Sequence, residues 1–151
     1  MNRTAMMSKI ETILRESGAG VLTTVGEDGT PSSRWMTPAV LKGRPGALYA
    51  ITSPHSRKVR ELRQNPAAEW LLQVPSLNEV VTLRGRVNVV DNPSFKNEVL
   101  DAVARRLHVF WRINVERTDM VVLETVIEEA GYFVPMKAER ATVSFQAEEE
   151  S

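Results

Sequence analysis

Six apolar segments of strand length, most of them joined by short connections, constrain the fold of this chain more than any other feature of its sequence. Alternate side chains of a strand face opposite sides of a sheet, and hairpin-length connections join antiparallel neighbours. Gly85 lies inside the longest segment and predicts a β-bulge or a close backbone approach there. The predicted strands are residues 20–26, 30–41, 48–52, 67–74, 79–90 and 119–127, the last being continued by or paired with residues 129–134.

Helical patterns are inserted between these strands. Ser8 and Glu11 have the spacing of a capping box at the start of a first helix. A second helix follows Ser56, and Asn92 before Pro93 marks the start of a third. Mostly hairpin-joined strands with added helices predict a mainly β (α+β) fold, a six-stranded antiparallel β-barrel with flanking helices.

Composition narrows the classes of function. The 151 residues suit one domain, residues 1–151, with a polar C-terminal tail from about 137 to 151. A net charge of +0 disfavours nucleic acid as a partner. The chain has no cysteine and only two histidines, which disfavours disulfides and metal sites. No apolar run approaches the ~20 residues of a membrane span, and no signal peptide is evident, so we expect a cytoplasmic protein without a membrane partner.

A basic segment, residues 48–65, carries the clearest indication of a binding site. A short strand leads through a polar break into a helix with Arg57 and Lys58 in or near its first turn. Cations are normally favoured at the opposite helix end, and beside the hydroxyls of Ser53 and Ser56 they would suit an anion such as phosphate. In the alternative interpretation, a serine merely caps the helix while the basic side chains face water. The pattern alone leaves both open.

The middle of the second predicted strand is also unusual. Alternation places Arg34 and Met36 on one face and Trp35 on the other. Core packing explains Met36 or Trp35 taken singly, but a charge such as Arg34 directed at a sheet face requires a partner. Trp111, in the C-terminal half, could pack on the core or form part of a ligand wall.

The order VLTTVGEDGTPSSRWMTP, LYAITSPHSRKVRELRQNP and VVTLRGRVNVV resembles the pyridoxamine 5′-phosphate oxidase-like family, which has the flavin mononucleotide (FMN)-binding split-barrel fold. The general-stress-protein branch of bacteria is the nearer match. The resemblance covers residues 8–134, and the string S-R-K-V-R-E-L-x-x-N-P is its most specific part. It implies a homodimer with the flavin at the subunit interface, a small-molecule redox partner, and FMN as cofactor, with flavin adenine dinucleotide as the alternative.

The resemblance also assigns roles to matching positions. One strand contacts the flavin ring and ribityl chain, a strand end adds hydroxyls, and a Ser-Arg-Lys string binds the phosphate. The partner subunit contributes from its long strand, here residues 80–82, and a C-terminal tryptophan is a further candidate. The implied cofactor-binding residues are Arg34, Trp35, Met36, Ile51, Thr52, Ser53, Ser56, Arg57, Lys58, Thr82 and Trp111.

Two departures from the family bear on activity. Val80 stands where true pyridoxamine phosphate oxidases carry glutamine, and an acidic tail replaces their arginine-bearing C-terminal segment. Both argue against vitamin B6 synthesis and leave FMN binding intact. Three functions are therefore expected as alternatives: a flavin-dependent oxidoreductase of unknown substrate, a non-catalytic flavin-binding general stress protein, or a barrel for a deazaflavin or haem.

Overall fold

A computed structural model of the chain describes residues 1–104 and 119–146. The helices in these ranges are α1 (Arg3–Ser17), α2 (Arg57–Gln64) and α3 (Pro93–Ala104). The strands are β1 (Gly20–Val25), β2 (Pro31–Met36), β3 (Ala47–Thr52), β4 (Ala67–Gln73), β5 (Val80–Val90), β6 (Val121–Val134) and β7 (Glu139–Ser144). None of the described helices has the length and apolar character needed to cross a membrane.

The strands form one antiparallel sheet in the order β2-β1-β4-β5-β6-β3, and β7 also pairs with β6. The first half of β6 pairs with β3 and its second half with β7, while β5 runs along its other edge. Ala39, just beyond β2, forms an isolated bridge with Tyr49 of β3, with N–O distances of 2.7 and 2.9 Å. This bridge brings the two ends of the strand order together, so the predicted mainly β split barrel is confirmed.

Among the described residues the sheet has seven strands rather than the predicted six. The segment assigned to the polar tail contains β7, which pairs with β6 from Glu139 opposite Val134 to Ser144 opposite Glu129. Val143 is the one buried side chain of β7. A strand that buries a single residue lacks the alternating pattern by which strands are predicted.

The start of α1 also differs from the prediction. The helix begins at Arg3, and the side chain of Asn2 accepts a hydrogen bond of 2.8 Å from a first-turn N–H. The predicted capping box at Ser8 is wrong, because Ser8 lies inside the helix. Asn2 is itself a strong cap, and the longer helix buries Met6 in the core. The helix ends at Gly18, whose φ of 70° lies in the left-handed region.

The strand register separates an inner row of side chains from an outer row. The inner row fills the barrel and is buried: Leu22, Trp70, Leu83, Ala130 and Val143. The outer row consists of their neighbours along each strand: Trp35, Val21, Leu71, Thr82, Gly131 and Thr142. Arg34 lies opposite Leu22 and therefore belongs to the inner face, and Trp35 lies on the other face, as predicted.

Two cores meet at β3 and hold it in place. All six residues of β3 are buried, because the barrel core covers one face and α3 covers the other. The rings of Tyr49 and Phe95 pack edge to face across this second core at 5.4 Å. As predicted, Asn92 caps α3 by accepting a 3.1 Å hydrogen bond from the Phe95 N–H. The end of β3, which leads into α2, is thus fixed on both sides.

Candidate functional site

A pocket of about 520 Å³ opens where β2 and β3 end and β6 begins. Its walls combine an indole, two methionines and an isoleucine with hydroxyl groups. Five residues predicted to contact a flavin meet here: Trp35, Met36, Ile51, Thr52 and Ser53. The other lining residues are Ala19, Thr37, His55, Asp119 and Met120.

The end of β2 shapes one side of this pocket. The strand pairing with β1 stops at Met36, although the sequence predicted a strand as far as residue 41. Pro38 cannot donate a ladder hydrogen bond, and pairing resumes only as the bridge at Ala39. Because the strand ends there, Trp35 and Met36 both reach the pocket although they lie on opposite faces.

The polar break before α2 is held by hydrogen bonds between its serine hydroxyls and its own backbone. The Ser56 hydroxyl donates a 2.9 Å hydrogen bond to the Ser53 carbonyl, and the Ser53 hydroxyl accepts one of 3.4 Å from the His55 N–H. Ser56 occupies the N-cap position of α2 without making a side-chain cap. The side-chain cap in the alternative interpretation is therefore wrong, whereas the exposed side chain of Arg57 agrees with that interpretation. Arg57 and Lys58 lie in the first turn, as predicted.

Lys58 is a half-buried cation at the start of α2. Burial lowers the pKa of its ammonium group, and the nearby positive charge of Arg34 lowers it further. No carboxylate among residues 1–104 and 119–146 pairs with Lys58. Two neighbouring cations in partial burial are unfavourable without an anion between them, so this position is suited to bind one.

The side chain of Arg34, on the inner face of β2, is held by hydrogen bonds. Its Nη1 donates hydrogen bonds to Thr24 Oγ1 at 2.7 Å and to the Leu22 carbonyl at 3.3 Å. Burial lowers the pKa of Arg34, while the negative charge of Glu61 acts in the opposite direction. The hydroxyl of Thr24 is therefore a partner that this mid-strand charge was expected to need.

The side chain of Arg57 lies in a different place from that of Lys58. The Nε of Arg57 donates a 2.8 Å hydrogen bond to Glu61 Oε1, and its Nη2 contacts the Ser32 hydroxyl. Its side chain is exposed and lines a separate polar cleft of about 790 Å³ between α2 and the β1–β2 turn. The predicted phosphate-binding residues thus differ: Arg57 is paired with a carboxylate, whereas Lys58 has no carboxylate partner within the described ranges.

Glu61 is a site residue that the sequence analysis missed. It is buried, with 8% of its surface exposed, and accepts a 2.9 Å hydrogen bond from Thr24 Oγ1 besides the one from Arg57. The hydrogen bond from Thr24 is the largest influence that lowers the pKa of Glu61, followed by that from Arg57. The four-residue spacing between Arg57 and Glu61 was visible in the sequence, whereas the approach of Thr24 depends on packing.

His55 and Asp119 form an exposed pair at the rim of the pocket. The distance between His55 Nε2 and Asp119 Oδ2 is 3.2 Å, and both residues line the pocket. The pair connects the break before α2 with the segment that enters β6. The sequence analysis assigned no role to either residue, because contacts across such a separation follow only from the fold.

Five of the predicted residues within the described ranges do not line this pocket: Arg34, Ser56, Arg57, Lys58 and Thr82. Thr82 is exposed on β5, opposite Leu71 and Gly131 in the outer row. Three strand spacings of roughly 4.8 Å each separate it from Trp35, so within one chain it cannot share the pocket. Trp111 lies outside the described residues.

Comparison with known proteins identifies the family. The sequence profile of the pyridoxamine 5′-phosphate oxidase family matches residues 6–133, so the chain belongs to this family. A pyridoxine/pyridoxamine 5′-phosphate oxidase of Myxococcus xanthus (strain DK1622) is 38% identical over 80 residues. That alignment covers 53% of this chain and 38% of the relative, so the chain spans about two fifths of the curated relative.

Solved structures share the fold at lower identity. General stress protein 26 from Bacillus anthracis str. Sterne aligns with a TM-score of 0.65 and 22% identity over 90% of this chain and 97% of its own. A heme binding protein from Mycobacterium smegmatis aligns with a TM-score of 0.71 and 20% identity over 92% of this chain and 57% of its own. At these identities the likeness establishes the split-barrel architecture.

Proposed function

We propose that this chain binds FMN in the pocket between β2, β3 and β6 and acts as a flavin-dependent oxidoreductase on a substrate yet to be identified. The observation that carries the proposal is Lys58, a half-buried cation beside Arg34 that lacks a carboxylate partner in the described ranges. A phosphate at the head of α2 would relieve this unbalanced charge and also meet the first-turn N–H groups.

The pocket suits the remainder of FMN in size and chemistry. The apolar walls at Trp35, Met36 and Ile51 fit a planar ring system, and the hydroxyls of Thr52 and Ser53 fit a polyhydroxyl chain. The flavin would carry the electrons, while the protein binds it, orients it and sets its electrostatic surroundings. Among the described lining residues, the only titratable side chains are His55 and Asp119, which fits chemistry supplied by the cofactor.

A second copy of the chain completes the proposed site. Thr82 faces outward and is too far from the pocket of its own chain, but it could reach the flavin of a partner subunit. We therefore propose a homodimer with the flavin at the interface. Val80, at the first position of β5, stands in place of the glutamine of pyridoxamine phosphate oxidases and supports a reaction other than vitamin B6 synthesis.

The proposal is tested first by visible absorption of the purified protein, before and after addition of FMN and desalting. We expect a flavin spectrum that stays with the protein. Replacing both cations (Arg57→Ala with Lys58→Ala) should then weaken FMN binding at least about tenfold, since each charge-assisted bond contributes roughly 1.5–3 kcal/mol. Riboflavin lacks the phosphate and should lose far less affinity. Equal losses for the two flavins would contradict the phosphate assignment.

A second candidate is a flavin-binding general stress protein without catalysis. The similarity of fold to general stress protein 26, which extends over 97% of that chain, supports this second candidate. Sustained oxidation of NADH or NADPH with transfer to an acceptor would establish the oxidoreductase, and a tightly held flavin without turnover would establish the alternative. The visible spectrum also distinguishes a flavin from a deazaflavin or a haem. Haem is the ligand named for the structurally similar protein from Mycobacterium smegmatis.

A further inference from the structure

We propose that Thr24 and Glu61 are positioning residues, which fix Arg34 towards the phosphate of the cofactor and keep Arg57 away from it. The inference rests on the proposed FMN site. It assigns the phosphate to Lys58 and Arg34, and it makes Arg57 part of the support beneath them.

The link between Thr24 and Arg34 is the first step. Thr24 is fully buried on β1, and its Oγ1 accepts a 2.7 Å hydrogen bond from Arg34 Nη1. The same oxygen donates a 2.9 Å hydrogen bond to Glu61 Oε2. A hydroxyl has one hydrogen, so donation to the carboxylate leaves its lone pairs for the guanidinium. The direction of the hydroxyl is thereby fixed, and each bond of the chain polarises the next.

The second oxygen of Glu61 engages Arg57. Arg57 Nε lies 2.8 Å from Oε1, whereas Thr24 donates to Oε2. Moving Arg57 to a phosphate would leave the negative charge of buried Glu61 without its ion-pair partner, which is costly. Arg57 therefore remains with Glu61, although its place in the sequence suggests a phosphate ligand.

This arrangement leaves the positive charges of Lys58 and Arg34 available to bind an anion. Arg57 forms the ion pair with Glu61, so the carboxylate offsets the charge of Arg34 only in part, and no carboxylate in the described ranges offsets that of Lys58. Arg34 is also tethered to the Leu22 carbonyl at 3.3 Å, which restricts the guanidinium further. A cation that is already oriented loses less conformational freedom when it binds a ligand than a free side chain does.

The competing explanation is that these hydrogen bonds serve only to stabilise the fold. The same bonds connect α2 with β1 and β2, and they would stabilise the barrel whether or not a phosphate binds. If these bonds only stabilise the fold, their loss should lower the affinity for all flavins equally, since it would disturb the pocket as a whole. A positioning role affects only the ligand that carries the phosphate, so the ratio of the FMN and riboflavin dissociation constants separates the two explanations.

The experiment replaces Thr24 by valine, which has nearly the same shape and lacks the hydroxyl, with Thr24→Ser as the matched control. Dissociation constants for FMN and riboflavin are measured on the full-length protein by fluorescence titration. We expect Thr24→Val to weaken FMN binding roughly tenfold, the size expected when a charge-assisted hydrogen bond is lost. Riboflavin binding should change by less than about twofold on the same scale, and Thr24→Ser should behave like the unsubstituted protein.

An unchanged FMN-to-riboflavin ratio in Thr24→Val, with or without a loss common to both flavins, would overturn the inference alone. If the valine variant does not fold, Thr24→Ala provides the same comparison with a smaller side chain. An unsubstituted protein that binds FMN no better than riboflavin would instead overturn the proposed phosphate site together with this inference. The two failures are therefore distinguishable.

Discussion

At the scale of single residues, the two cations that begin α2 have different surroundings and should behave differently. Lys58 is half-buried beside Arg34, whereas Arg57 is exposed and paired with Glu61 at 2.8 Å. We expect Lys58→Met, which keeps an apolar stem, to lower FMN affinity at least about tenfold, as loss of a charge-assisted bond implies. Arg57→Gln should lower it by less than about threefold, because the lost group faces another cleft.

The control for these variants is Arg60→Gln, which removes a charge from the exposed side of the same helix. It measures the long-range effect of one positive charge on the binding of an anion. Isothermal titration with FMN and riboflavin gives all the constants. A larger loss in Arg57→Gln than in Lys58→Met would show that Arg57 leaves Glu61 when the ligand binds, contrary to the expectation.

Glu61 should make stability depend on pH in a definite direction. Its pKa is lowered in the folded protein by the hydrogen bond from Thr24 and by Arg57, and it returns to about 4.3 on unfolding. The folded state thus binds fewer protons, so this stabilisation is complete above the unfolded pKa and is lost as pH falls through the lower folded pKa. Glu61→Gln should lower Tm at pH 7 and flatten its decline below about pH 4.3.

Circular dichroism melts at a series of pH values between neutrality and the acid limit test this expectation. Glu27→Gln, an exposed substitution in the β1–β2 turn, is the matched control and should follow the parent curve. A Glu61→Gln curve that runs parallel to the parent at every pH would show that the carboxylate does not contribute its charge to stability.

The sequence could indicate which residues carry charge towards the site, but not how those charges are paired. Alternation along one strand was sufficient to place Arg34 and Trp35 on opposite faces, and the register against β1 then shows that Arg34 is on the inner one. The division between Arg57 and Lys58 follows from Glu61 and Thr24, and Thr24 reaches α2 only through the packing of the helix on the barrel. Pairing across elements is a property of the fold, so the sequence pattern could not show it.

At the scale of elements, the irregular pairing between β5 and β6 depends on a glycine. The register of β5 against β6 shifts between Arg84 and Gly85, and the skipped residue is Glu128 of β6. The close backbone approach that was one of the two predictions from Gly85 is confirmed. A Cβ at position 85 would lie 2.2 Å from the Val126 carbonyl oxygen and 3.2 Å from Thr125 Cγ2. A backbone oxygen in a ladder cannot rotate away, so Gly85→Ala must displace a strand.

We expect Gly85→Ala to destabilise the protein by about 1–3 kcal/mol, the usual cost of overpacking. Thermal unfolding would show this as a loss of about 2–4 °C for each kcal/mol in a chain of this size. Gly131→Ala is the control within the same sheet, because its new Cβ would lie 3.1 Å from the Thr82 hydroxyl, a side-chain atom that can move. Equal losses in the two variants would contradict a special role for the irregular pairing.

Elements with strong periodicity or clear end signals were predictable, and weakly patterned ones were not. The alternation of β4 and β5 and the Asn92 cap of α3 were all legible in the sequence. In contrast, β7 buries only Val143 and owes its place to pairing with the long edge of β6. The closure of the barrel through one bridge at Ala39 likewise has no local signal.

At the scale of the whole molecule, the outer row presents an apolar surface to solvent. Trp35 is 67% exposed and Leu71 is 37% exposed, and Val21 lies between them on β1. Thr82 continues the row on β5. Contiguous exposed apolar side chains with an aromatic residue are typical of interfaces between proteins. This surface connects the pocket wall at Trp35 with the residue that we propose serves the partner subunit.

We therefore expect a dimer whose loss also costs the cofactor. Leu71→Arg places a charge in the centre of the outer row and should shift the protein to monomer in sedimentation velocity. It should also weaken FMN retention, because the partner's Thr82 would no longer reach the pocket. Met136→Arg, at a side chain that is 84% exposed beyond the end of β6, is the control and should remain dimeric. A monomeric protein that still binds FMN tightly would contradict an interface site and place the whole cofactor within one chain.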